Sequence, residues 1–194
     1  FVANQARGVF MQAAGDTTGS AFSDLHNYVI SNLLWDPNRS GEALRDEFLR
    51  LHYGEAAPPI RRLIERLEEK GQASEQHPNC FGVARQYGQD EALAREALEA
   101  FDAALGLAGD DAVLRSRVEK ASLGAYRMAI EPCFRAKEGE PLEAGLAGRM
   151  QPLVRQFFSL AEKHRVACFR EGAPMEQGRE QLRRLNWGDV RPDF

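Results

Sequence analysis

The feature that most constrains this chain is a lone apolar run near its front, Gly8-Val9-Phe10-Met11-Gln12. The run is too short for a helix and is bounded by loop residues, which predicts a buried strand. A Gly/Asp/Thr/Ser loop follows, Ala13 to Ser20, and from Ala21 onward the chain reads as helix. A lone strand cannot satisfy its own backbone N–H and C=O groups. Even an isolated two-stranded hairpin is marginal in water. Either the run is the last strand of a sheet whose other strands lie outside this sequence, or it is not a strand.

The helices announce themselves by spacing and by their ends. Phe22, Leu25, Val29 and Leu33 recur at helical intervals from Ala21 to Leu34, and Asp36 before Pro37 closes that segment. Ser40 is a natural N-cap for a second helix with face Leu44, Phe48 and Leu51, ending at Gly54. Pro58-Pro59 open a third, with face Ile60, Leu63, Ile64 and Leu67, ending at Gly71. Gln72 to Gly88 is polar and reads as loop with one short turn. Asp90 caps a long helix to about Leu107, buried through Leu93, Ala97, Phe101 and Leu105. Asp110 is expected to cap the next, with Leu114, Val118, Ala121, Ala125 and Met128 as its stripe and Pro132 as its stop. These two have almost no linker and should pack antiparallel, with Phe101 and Val118 buried between them. A last stripe runs Leu146, Met150, Leu153, Phe157 and Leu160, with Pro152 expected to kink that helix or mark its start. Gly172 to Phe194 is Arg-rich and reads as a tail ending in loop. The fold class is therefore mainly α, with five or six helices and one short N-terminal strand.

Composition narrows the function classes. At 194 residues the chain fits one domain or a domain plus an appendage and can bury roughly 70 % of its unfolded surface. Its net charge of -4 comes with no basic stripe, which excludes a nucleic-acid surface. No apolar run approaches the roughly 18 residues of a membrane span, so no membrane is expected. Cys80, Cys133 and Cys168 are widely spaced and odd in number, which is no disulfide framework and leaves the compartment open. The first residue is Phe1, not Met, as expected of a fragment, a processed product or a missing stretch of numbering.

The segment from Tyr28 to Leu67 carries a resemblance. Gly8-Val9-Phe10-Met11-Gln12, then Leu33-Leu34-Trp35-Asp36-Pro37, then Glu47-Phe48 through Tyr53-Gly54-Glu55-Ala56-Ala57 to Ile60 resemble the C-terminal part of an uncharacterised bacterial family. That family is a domain of unknown function in the glycoside-hydrolase (β/α)-barrel clan. The pattern covers the first third of the chain well, with Asp36 where it carries Asn, and a weaker echo begins at Arg115. The resemblance implies that residues 1–39 are the last strand–helix unit of a (β/α) barrel and 40–194 a C-terminal helical domain. It implies, as partner, the upstream barrel portion of the same polypeptide, and a carbohydrate ligand.

Barrel active sites sit at the C-terminal ends of the strands. On the barrel reading Gln12 ends the strand, and its amide can both donate to and accept from sugar hydroxyls. Asp16, in the following loop, is the nearest carboxylate, with an Asx-turn as its other reading. Gln12 and Asp16 are the substrate-binding candidates. Glycoside hydrolysis needs a carboxylate pair about 5–9.5 Å apart, and none is visible, so no catalytic residue is assigned. Whether a full-length parent is a glycoside hydrolase stays open. No cofactor is expected and no metal: His164 and Cys168 at i, i+4 have no third ligand, and His77 with Cys80 has none either. His26 and His52 read as helix-surface or satisfied histidines, Trp35 and Tyr53 as packing residues, and Arg179, Arg183 and Arg184 as a solvated face or a dock for an acidic surface. The alternative function is a stand-alone helical module that binds a protein partner or small ligand.

Overall fold

The computed structural model describes residues 2–10, 22–77, 84–143 and 145–194. The fold is mainly helical: α1 (Ser23–Trp35), α2 (Gly41–Tyr53), α3 (Ala57–Ala73), α4 (Glu91–Ala108), α5 (Ala112–Ala129), the short α6 (Glu131–Arg135), α7 (Leu146–Lys163) and α8 (Met175–Arg183). Three short 3-10 turns, at Val2–Asn4, Gly54–Ala56 and Ala84–Tyr87, accompany them.

The helix ends follow local chemistry. The Ser40 hydroxyl accepts from the Ala43 N–H at 3.3 Å and Asp90 accepts from Leu93 at 2.7 Å, so both expected caps form. The cap of α5 is Asp111, not Asp110: its Oδ1 accepts from Val113 and Leu114, each at 2.9 Å. The two acids are adjacent in sequence, but the one nearer the helix alone reaches the orphan amides. Pro152 lies inside α7, six residues after its start. Its side chain is exposed. The carbonyl that loses its partner therefore faces the solvated side of the helix.

Two apolar cores share α5. The first collects Leu25 of α1, Phe48 and Leu49 of α2, Ile60, Leu63 and Ile64 of α3, and Ala97, Phe101 and Ala104 of α4 against Val118 and Ala125 of α5. Phe101 and Val118 are both buried there, at 3 % and 0 % exposure, as expected. The second lies on α5's other side, where Leu123 and Ile130 meet Met150, Val154, Phe157 and Phe158 of α7, with Leu182, Trp187 and Phe194. The stripe of α7 uses Val154 where the spacing suggested Leu153, which is only half-buried.

Regular strand pairing falls at the other end of the chain from where it was expected. β1 (Cys168–Arg170) and β2 (Ala173–Pro174) form an antiparallel hairpin turned through Gly172 at φ 69°. Gly8, Val9 and Phe10 have no regular secondary structure, and Met11 and Gln12 lie outside the described residues. The physical reason is the one the sequence raised: no described strand lies beside the run to take up its backbone hydrogen bonds. The tail ends in loop, as expected, but is helical before that. It forms α8, whose Gly178 packs against Phe169 of β1, and ends with Trp187 and Phe194 in the core.

Candidate functional site

Gln12 and Asp16, the two substrate-binding candidates, lie outside the described residues, as does Cys80. The other residues singled out by the sequence can be placed. Trp35 ends α1 with 91 % of its surface exposed, and Leu34 beside it is also exposed. Trp35 therefore does not pack within the described chain, contrary to expectation, because the helix stops there and the chain turns away through Asp36 into α2. Tyr53 does pack, at 4 % exposure. His164 and Cys168 share no helix: α7 ends at Lys163, and Cys168 begins β1. Among the described residues no cluster of three or more His, Cys, Asp or Glu side chains could hold a metal ion.

The arginines near the C-terminus hold the tail rather than forming a bare charged face. Arg179 stacks over Phe158 with its guanidinium carbon 4.9 Å from the ring centroid, and Arg183 Nε donates to the Phe194 carbonyl at 2.8 Å. Arg184 stays more exposed, pairing with Glu180 at 3.9 Å.

The turn from α1 to α2 is fixed by a polar network. The Tyr28 hydroxyl donates to Glu47, Arg39 donates to Glu47 at 3.1 Å and to Asn32 Oδ1 at 2.5 Å, and Asn32 donates to the Tyr28 carbonyl at 2.9 Å. The hydrogen bond from Tyr28, joined by Arg39, holds the Glu47 carboxyl below its ordinary value. A second polar joint ties α5 to the end of α7. There Lys163 Nζ lies 2.6 Å and His164 Nε2 3.3 Å from Glu119 Oε2. Burial alone would raise the Glu119 carboxyl, but Lys163 and His164 outweigh it and hold it low.

A recess of about 150 Å³ lies where the start of α1, the end of α2 and the middle of α5 meet. Phe22, Ser23 and Asp24 line it from α1, His52 and Tyr53 from α2, and Ser116, Arg117 and Lys120 from α5. Phe22 occupies the N-cap position of α1 at φ 56°, a left-handed conformation uncommon for a bulky side chain, and stacks 6.3 Å from Phe101. Arg117 Nη1 donates to the His52 carbonyl at 3.0 Å, and Lys120 pairs with Asp24 at 3.3 Å. The His52 ring is stacked on Phe48 and meets Tyr53 edge-on, both at 4.7 Å. Burial, with Arg117 adding to it, holds the His52 imidazole below its ordinary value, so it is neutral at pH 7. Burial raises the Tyr53 phenol far above its own, which keeps it a neutral hydroxyl. The sequence shows Arg117 and Lys120 on one side of α5. It does not show that the first turn of α1 comes down on them, because that is a tertiary contact across 96 residues.

Compared with known families, residues 1–65 match the family model described as Domain of unknown function (DUF4838). That match covers the first third of the chain and supports its likeness to an uncharacterised family. No curated protein and no solved structure matches the chain.

Proposed function

We propose that this chain is the C-terminal helical portion of a glycoside-hydrolase-like, carbohydrate-active protein. In this reading residues 1–39 supply the last strand–helix unit of a (β/α) barrel and 40–194 a helical domain that buttresses it. The chain's part is mainly structural support, with Gln12 and Asp16 contributing to the sugar site. The observation that carries the reading is an apolar surface left without a partner in the family-matched stretch. Phe10 is 87 % exposed in a run without regular secondary structure and with no described strand beside it, and Leu34 and Trp35 are exposed at the end of α1. An exposed apolar run and a bare apolar helix end are what one strand–helix unit would present apart from the rest of its barrel. On this reading the acid and base would come from the upstream strands.

The test compares amide hydrogen exchange in this chain alone and in the longer polypeptide that encodes it. Protection of Val9, Phe10 and Trp35 in the longer polypeptide, with none in the chain alone, is the expected result. Equal exchange in both overturns the reading. The stand-alone module remains the second reading, favoured by one observation: among the described residues both cores are closed by the chain's own elements.

A further inference from the structure

We propose that the recess at the start of α1 binds a small oxyanion, a phosphate or carboxylate group held by the Arg117 guanidinium, the Lys120 ammonium and the Tyr53 hydroxyl. This goes beyond the barrel reading and does not depend on it.

Tyr53 gives the first indication. The residue is almost wholly buried and lines the recess, yet among the described residues nothing donates to its hydroxyl or accepts from it. The hydroxyl oxygen itself is not sealed from solvent, so it stands at the recess as a donor able to meet an acceptor brought there. Its neighbours point the same way. Arg117 uses one of its five N–H donors on the His52 carbonyl, and no described carboxylate pairs with it. Lys120 and Asp24 offset one another, and His52 is neutral, so the lining keeps one net positive charge, that of Arg117. Arg is the side chain whose planar fork matches phosphate and carboxylate.

The helix adds to this. The first turn of α1 borders the recess, and its N-cap is Phe22, whose side chain cannot accept from the leading amides. Such amides carry the positive end of the helix dipole and suit an anion. Volume then decides the size of ligand. About 150 Å³ holds roughly five waters at ~30 Å³ each, and falls below the ~300 Å³ of an ordinary small-molecule pocket. A lone oxyanion group fits a space of this size.

The experiment titrates the full chain with inorganic phosphate and, separately, with sodium acetate, holding ionic strength constant with sodium chloride. The readouts are the melting temperature and the NMR resonances of the His52 ring. One of the two anions should bind saturably, raising the melting temperature and moving those resonances, and which one does so identifies the group. Arg117→Gln should weaken binding about tenfold and Tyr53→Phe about threefold. Arg117 is exposed, and Tyr53→Phe keeps the buried ring, so both variants should melt as cooperatively as the parent without anion. Saturable binding lost in both variants supports the site. Failure of both anions to bind in the millimolar range, or binding by Tyr53→Phe and Arg117→Gln equal to the parent's, overturns it.

Discussion

In the first core, Leu25, Phe48, Ile60, Leu63, Phe101 and Val118 come from five helices whose apolar stripes face one another. In the second, one strong stripe, on α7, meets a five-residue helix, a short hairpin, α8 and the aromatic end of the chain. The first core is rich in alanine, with Ala97, Ala104 and Ala108 letting α4 lie close to its neighbours. The second is filled by rings: Phe157 against Phe158 at 5.2 Å, Phe158 against Phe194 at 6.0 Å, and Trp187 against Phe194 at 5.3 Å. Helix on helix needs only matched periodicity and small residues at the crossings. A core closed by a tail needs individual anchors, and here each is tied by a polar group. Trp187 Nε1 donates to the Leu182 carbonyl at 2.8 Å, Arg183 reaches the Phe194 carbonyl, and Arg155 pairs with Asp193.

The sharpest way to break the distinction is to empty the first core and watch the second. Phe101→Ala should cost about 3–5 kcal/mol. Because α5 walls both cores, urea unfolding followed by the fluorescence of Trp187, with Trp35→Phe introduced to remove the exposed tryptophan, should show one transition shifted to lower denaturant. An unshifted Trp187 transition would mean that the two cores melt separately.

Next comes the anchored core's tightest contact. A Cβ built on Gly178 would lie 2.5 Å from the Phe169 ring, which itself meets Phe134 at 5.0 Å and Phe157 at 6.0 Å. Gly178→Ala should therefore destabilise by about 1–3 kcal/mol despite alanine's better helix propensity. Gly41→Ala, at the start of α2 with open space around it, should stay within about 0.5 kcal/mol. Thermal melts of the two variants side by side would decide whether the ring contact is as tight as it looks.

A smaller effect separates neighbouring acids. Asp111→Ala should cost about 1 kcal/mol through loss of the α5 cap, and Asp110→Ala less than about 0.5 kcal/mol. Equal losses would return the cap to Asp110.

The mildest is a pH dependence with one part in each region. His52 has a folded value held below its unfolded one, so its contribution is full above about pH 6.5 and is lost as pH falls from there toward the folded value. Glu119 is also held low, and its contribution is full above about pH 4.3 and is lost as pH falls through the folded value. Melting temperature against pH should fall in these two windows. His52→Phe should flatten the upper window alone, and Glu119→Gln should reduce the fall in the lower one, where Glu47 also contributes.

These regions also differ in how far the sequence revealed them. Helices α1 to α5 and the burial of Phe101 and Val118 followed from spacing, because helix periodicity is local and survives in one dimension. The hairpin and α8 did not. β1 is three residues long and β2 two, too short for any alternation to register, and Trp187 and Phe194 are single apolar residues among polar ones. The recess was half legible: Arg117 and Lys120 share a face of α5, but their meeting with Asp24 and Tyr53 depends on how three helices cross. The N-terminal run shows no strand over its described residues, Gly8 to Phe10, for a related reason. Strand composition at Gly8 to Phe10 states a preference, and a strand exists only where a neighbour accepts its hydrogen bonds.

The sharing of α5 has a consequence for grafting. Leu114, Val118, Ala121 and Ala125 look one way along this helix, and Leu123, Tyr126 and Ile130 the other. Each turn thus carries two recognition codes written over one another. A transplanted N-terminal layer would have to read the small-residue code left by Ala121 and Ala125, while a transplanted tail would have to fit the bulk of Leu123 and Ile130. Either half could be exchanged for a foreign one only if α5 travelled unchanged with the half that stayed.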